Sequence, residues 1–220
     1  MKFYESGDNR KPVIFLFPGT CCLYSSFDHV LDGLHSYFYT VTVSYDGFDP
    51  NEKTEFYSME DECEKIEQEI RKKYGGRIKA AYGCSLGGSF VSLLIQRKRI
   101  HIDHGIIGSS DMDEAGHLVA KIQSSMVVPF MYKMVHTGTL PKFMQKKLDK
   151  TDGGKKELYN GFFNMFGIGK GGSPWITKQS IYNQFYSDLV TKVQHGIDVP
   201  GTTIHVFYAT KMGEKYEKRY

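Results

Sequence analysis

The sequence lacks any long apolar run. Nowhere does it approach the roughly 20 consecutive apolar residues of a membrane helix, so no membrane span is expected. Its first residues, Met1-Lys2-Phe3-Tyr4-Glu5-Ser6-Gly7-Asp8, have no apolar segment behind the lysine, which argues against a signal peptide. The four cysteines, Cys21, Cys22, Cys63 and Cys84, form neither a C-x-x-C pair nor a disulfide-framework spacing. Excess charge is missing too: 28 basic against 25 acidic side chains leave +3, too little for a nucleic-acid footprint. Internal repeats and low-complexity tracts are absent. These absences together lead to the expectation of a reduced, soluble, cytoplasmic protein.

What is present is ordinary globular material. The 220 residues are 40% apolar and 24% charged, enough for one domain with a substantial core. Val13-Ile14-Phe15-Leu16-Phe17, stopped by Pro18-Gly19, predicts a strand buried on both faces. Phe27, Val30, Leu31, Leu34 and Phe38 recur at helical spacing, and Tyr39–Tyr45 is β-rich before the Asp46-Gly47 turn. Ser58 is a good N-cap for a helix that Gly75-Gly76 stops, with Met59, Cys63, Ile66, Ile70 and Tyr74 on one face. Glu60, Asp61, Glu62 and Glu64 in its first turns are expected to form a solvated face. Residues 77–82 predict a strand, 85–96 a helix and 102–109 a further strand. Such alternation in units of about thirty residues implies right-handed crossovers and a parallel sheet covered on both faces. The fold class is α/β.

From residue 112 the pattern becomes helical, with Met126, Val127, Phe130, Met131, Met134 and Val135 as an amphipathic set. Ser173 is read as a cap, with Pro174 opening a helix. A strand returns at 203–208. The expected division is a core of residues 1–111 and 197–220 and an all-helical lid of 112–196. The glycine-rich stretch Gly167–Gly172 has the wrong spacing for a phosphate loop and reads as a flexible lid linker. His101, Asp103 and His104 alternate along a strand, so an edge histidine is preferred to a metal cluster. No cofactor and no metal are expected.

The chemistry centres on Gly83-Cys84-Ser85-Leu86-Gly87-Gly88, which fits G-x-S-x-G between a predicted strand and a predicted helix. That is the setting of a nucleophile elbow, where a strained turn lifts Ser85 Oγ out of the sheet and a helix N-terminus favours developing negative charge. The loop after the first buried strand, Pro18-Gly19-Thr20-Cys21, supplies the second half of an oxyanion hole: Thr20 N–H with Leu86 N–H, and Cys21 N–H as the fallback. Cys84 reads as a small residue facing away from the site.

On Phe17-Pro18-Gly19-Thr20, the Gly83–Gly88 elbow and the lid-sized helical insertion, the chain resembles the α/β-hydrolase family, in particular small bacterial esterase- and lipase-like serine hydrolases with a helical lid. The resemblance covers nearly the whole chain. It implies a two-step acyl transfer in which Ser85 attacks an ester-like carbonyl, a histidine shuttles the proton and an acid orients the histidine. The expected partner is a small-molecule ester or acyl substrate of small or medium acyl size; a homodimer is left open. A thioesterase or peptidase would use the same serine, and a catalytically silent binding protein on this fold is the alternative from another class.

The resemblance also shows what is missing. The family acid usually follows the strand that here is 203–208, where Glu214 is on offer only with a longer loop. Asp111, after the preceding strand, ranks slightly ahead of it. No histidine follows at the family position: His205 lies inside a strand, and His117, His136 and His195 lie in or beside the lid. The expectation is that the chain lacks a terminal strand and helix and leaves one sheet edge open. The 220 residues alone would then hydrolyse esters poorly, and lengthening the chain would raise the rate by orders of magnitude.

Overall fold

The computed structural model describes residues 1–110, 114–151, 153–169, 171–194 and 196–207. Among them are six strands: β1 (Lys2–Ser6), β2 (Val13–Phe17), β3 (Tyr39–Ser44), β4 (Arg77–Cys84), β5 (His101–Gly108) and β6 (Thr203–Phe207). The seven helices are α1 (Asp28–His35), α2 (Met59–Tyr74), α3 (Leu86–Arg97), α4 (His117–Thr137), α5 (Lys142–Asp149), α6 (Gly154–Met165) and α7 (Lys178–Val190). The strands form one sheet in the order β1-β3-β2-β4-β5-β6. Every pairing is parallel except β1 with β3.

Burial follows from the strand period. Ile14, Leu16, Ala80 and Tyr82 face α1 and the turn before it, where Phe27, Leu31, Leu34 and Phe38 cover them. Phe15, Phe17, Val41, Val43 and Ala81 face the opposite side and pack with α2 and α3 through Cys63, Ile66, Ile70, Phe90, Val91 and Leu94. Helices therefore lie on both faces, and this is the expected α/β architecture. All four helices α4–α7 fall between β5 and β6 in the chain. Among the described residues no helix is long and apolar enough to cross a membrane. β6 ends the sheet order, and its Val206 and Phe207 are exposed.

Three local expectations are corrected. The sequence pattern gave no strand before residue 13, yet Lys2–Ser6 pairs antiparallel with β3. Five residues with no clean alternation carry too weak a signal, and β3 supplies the hydrogen bonds that fix them. The last helix opens at Lys178, not at Pro174, because the Thr177 side chain accepts from Ser180 N–H. The glycine stretch is no loose linker at its described ends: Gly169 N–H donates to Gly138 O at 2.9 Å, and a Cβ on Gly172 would stand 2.4 Å from Gly138 N. Lys170 lies outside the described residues.

The acidic face of α2 is also only partly solvated. Ser58 caps it by accepting from Asp61 N–H, and Glu60, Asp61 and Glu64 are exposed. Glu62 is fully buried, accepting from Asp46 N–H at 3.0 Å and from Lys65 Nζ at 2.9 Å. Burial, with the Asp46 carboxylate beside it, pushes the Glu62 carboxyl up to about 7 against the opposing pull of Lys65. A carboxyl raised in the fold costs most stability when it must be charged, above about pH 7. That cost fades as pH falls toward the unfolded value of about 4. Glu62→Gln removes the titration. Its melting temperature is therefore expected to gain on the parent protein at pH 8 relative to pH 5; the same difference at both pH values would refute the shift.

Candidate functional site

Strand β4 delivers Ser85 and helix α3 begins immediately after it. Ser85 takes φ 54° and ψ −126°, a region that serine enters only under strain, of order 1–3 kcal/mol. Ser85 N–H donates to Gly108 O at 2.9 Å, which ties the turn to the end of β5. Between Ala81 and Ile95 it is the only exposed residue; Tyr82 and Cys84 are half-buried and the others are buried. A hydroxyl is thus presented to solvent from an otherwise closed strand-helix junction.

The glycines of the motif are required by contact. A Cβ on Gly83 would stand 2.0 Å from Gly87 O, and one on Gly87 would stand 2.1 Å from Phe17 O. The backbone of the turn, of α3 and of β2 therefore meet with no room for a methyl group. Beneath them, Phe90 of α3 stacks on Tyr45 (centroids 4.8 Å apart) and on Phe17 (6.3 Å). Such pairs contribute about 0.5–1.5 kcal/mol each beyond their burial and fix where α3 begins.

The loop after β2 lies against this turn. A Cβ on Gly19 would be 3.6 Å from Ser85 Cβ and 3.2 Å from Cys84 O. Thr20 follows, half-buried, and Tyr45 Oη donates to Pro18 O at 3.1 Å from the side. Leu86, as the first residue of α3, has an N–H with no acceptor inside its own helix. Cys21 N–H, the fallback donor, is engaged elsewhere: it donates to Gln184 Oε1 at 2.7 Å. Gly19, one residue before Thr20, and Leu86, one residue after Ser85, border the turn.

Cys84 is half-buried and burial raises its thiol; burial pushes Cys22 up to about 12, with Cys84 adding to it, and lifts Cys21 and Cys63 well above the ordinary thiol value. All four are free.

Asp111 and Glu214, the two candidate acids, lie outside the described residues. The chain just before Asp111 is fixed beside the elbow: Ser109 N–H donates to Phe207 O at 2.8 Å, and Ser110 Oγ lies 3.2 Å from Ser89 Oγ. Among the described residues no histidine hydrogen-bonds to Ser85. His35 meets Ser6 and Thr40, His101 meets Asp103, His104 Nδ1 and His205 Nε2 are 3.2 Å apart, and His117 meets Tyr186 Oη. His136 packs on Tyr132, with Nδ1 buried and without a partner among the described residues. His195 lies outside the described residues.

β5 runs between β4 and β6, so His101 and His104 are on an interior strand and not at an edge. No group of three or more metal-ligating side chains occurs among the described residues. A cavity of about 130 Å³ sits between α5 and α6, lined by Met144, Leu148, Tyr159 and Phe163, and none of the site residues borders it.

Sequence reasoning missed Tyr45 and Gln184, which hold the loop after β2. Neither carries a local signal, since Gln184 stands 163 positions from Cys21.

No protein-family model matches the sequence, and no curated protein matches it. Solved structures do. A protein from Desulfitobacterium hafniense assigned to the α/β-hydrolase family is 14% identical, with a TM-score of 0.67 over 99% of this chain and 96% of its own. A structure from a study of carboxylesterases of Nitrososphaera gargenis is 14% identical, with a TM-score of 0.67 over 99% of this chain and 81% of its own. A 1H-3-hydroxy-4-oxoquinoline 2,4-dioxygenase is also 14% identical, with a TM-score of 0.64 over 98% of this chain and 80% of its own. These likenesses establish the fold.

Proposed function

We propose that this chain, built on the α/β-hydrolase fold, is a serine hydrolase that cleaves carboxylic esters through an acyl-enzyme on Ser85. The observation that carries the reading is Ser85 itself, exposed at φ 54° where β4 turns into α3, with the Gly19–Thr20 loop against it. In the first step Ser85 Oγ bonds to the ester carbonyl carbon, its proton passes to a general base, and the carbonyl oxygen takes the negative charge between Thr20 N–H and Leu86 N–H. The alcohol then leaves with a proton. Water attacks the acyl group, releasing the acid and restoring the serine. The acid role falls to Asp111, ahead of Glu214, and the histidine is unassigned. Helices α4–α7 are assigned as the lid, with residues 1–111 and 197–220 as the core.

A dioxygenase shares this fold, so the fold alone does not select the reaction. Labelling does. A fluorophosphonate probe is expected to modify Ser85 stoichiometrically, located by peptide mass spectrometry; an inert Ser85 would favour a silent binding protein. The lid segment holds Met126, Met131, Met134, Phe130, Phe143 and Met144, a composition suited to an adaptable apolar pocket. Short p-nitrophenyl acyl esters are expected to turn over faster than long ones, and the reverse ranking would overturn that preference.

A further inference from the structure

The loop that follows β2 is held by a residue from the far end of the helical segment. Cys21 N–H donates to Gln184 Oε1 at 2.7 Å, and both residues are fully buried. Cys21 takes φ 59°, in the left-handed region that a residue with a Cβ enters at a cost. A buried N–H without an acceptor would add to that cost, so the Gln184 amide oxygen is what lets this turn be both strained and buried. Gln184 Nε2, the other end of the same amide, is buried and has no partner among the described residues. The orientation of the amide follows from its neighbour: only oxygen can accept from Cys21 N–H.

The helix that carries Gln184 is tied to the chain before α2. On α7, Asn183 Nδ2 donates to Phe56 O at 2.8 Å, and Ser180 Oγ accepts from Phe56 N–H at 3.3 Å. From the opposite side Tyr45 Oη donates to Pro18 O at 3.1 Å. Residues 18–21 are therefore gripped at both ends, once by the sheet side of the core and once by α7. Thr20 N–H belongs to the peptide unit just before the one that Gln184 grips. Fixing the Thr20–Cys21 peptide plane limits rotation about Thr20, and an oxyanion donor is effective only when held about 3 Å from where charge develops.

We propose that Gln184 is a positioning residue: by holding Cys21 N–H it aims Thr20 N–H at the carbonyl oxygen of a substrate on Ser85, and so couples the seating of α7 to the oxyanion hole. The grip stands on the geometry alone; its effect on turnover rests on the serine-hydrolase reading.

The test uses the full chain with Gln184→Met, which keeps the length and removes the acceptor, and Gln184→Glu, which keeps an acceptor oxygen. Amide hydrogen exchange at Cys21, followed by NMR, reads the grip without any catalysis. Steady-state hydrolysis of p-nitrophenyl acetate reads its consequence. In Gln184→Met the Cys21 amide is expected to exchange at least tenfold faster, and kcat to fall about 10- to 100-fold with KM within about twofold. In Gln184→Glu both are expected to return most of the way. Unchanged exchange in Gln184→Met overturns the grip whatever the activity. Faster exchange with unchanged kcat overturns the coupling and leaves Ser85 chemistry standing. If Ser85 is neither labelled nor needed for hydrolysis, the serine-hydrolase reading fails, and the exchange result alone decides whether Gln184 grips the loop.

Discussion

In a form of the protein that turns over esters, Ser85→Ala is expected to lower the rate by about 10⁴-fold or more while leaving the melting temperature nearly unchanged. The two halves of that expectation have separate physical grounds. In the proposed reaction Ser85 Oγ is the group on which the acyl transfer turns, and no backbone amide or neighbouring hydroxyl replaces a nucleophile. Ser85 is also exposed, and none of the described residues hydrogen-bonds to its hydroxyl, so deleting one oxygen leaves no buried group unpaired. Alanine adopts φ 54° with the same strain as serine, which leaves the turn as it was. Initial rates with p-nitrophenyl acetate, fluorophosphonate labelling and a thermal melt on the same preparations check it. Activity within tenfold of the parent protein would sink the assignment of Ser85.

Gly87→Ala is the second large effect, and it concerns the fold. The new methyl carbon would stand 2.1 Å from Phe17 O, 2.9 Å from Phe17 C and 3.1 Å from Pro18 O, all of them backbone atoms. A backbone cannot swing aside as a side chain does. Either α3 moves away from β2, breaking the stack of Phe90 on Phe17 and Tyr45, or the loop carrying Thr20 is displaced. A loss of about 3 kcal/mol or more in unfolding free energy is expected, read from the urea midpoint, with turnover lost alongside. Gly33→Ala is the control. Gly33 lies in α1 with nothing within 4 Å of its added Cβ, so that change is expected to stabilise by up to about 1 kcal/mol. Equal effects of the two substitutions would show that the contact at Gly87 does not govern the elbow.

Much of this arrangement was legible in the sequence because it is local. The Ser58 cap and the Gly75 stop of α2 were readable from residue type and spacing, since capping acts within one turn. The elbow was readable for a related reason. Glycine at 83 and 87 around a serine is a pattern written by steric exclusion, and the contacts at 2.0 and 2.1 Å are that exclusion in space. The apolar run Val13–Phe17 and the helical spacing of α2 and α3 gave the α/β class for the same reason: period decides which face is buried.

Tertiary structure alone decided the rest. Glu62 sits three residues after Met59 and four before Ile66, on the apolar face of α2, but a carboxyl is accommodated there only because the fold brings Asp46 N–H to it beside Lys65 Nζ. Lys2–Ser6 is a strand because β3 offers it a partner edge. Gln184 matters to the loop after β2 through a bond that spans 163 positions, and Tyr45 reaches Pro18 across 27. The sequence by itself determined the α/β class, the elbow and the serine, since each is set by sterics and periodicity within a few residues. Which backbone amides of the loop after β2 are engaged, and which side chains hold them, was decided only when distant segments were brought together, because a hydrogen bond has no range along the chain and reports only distance in space.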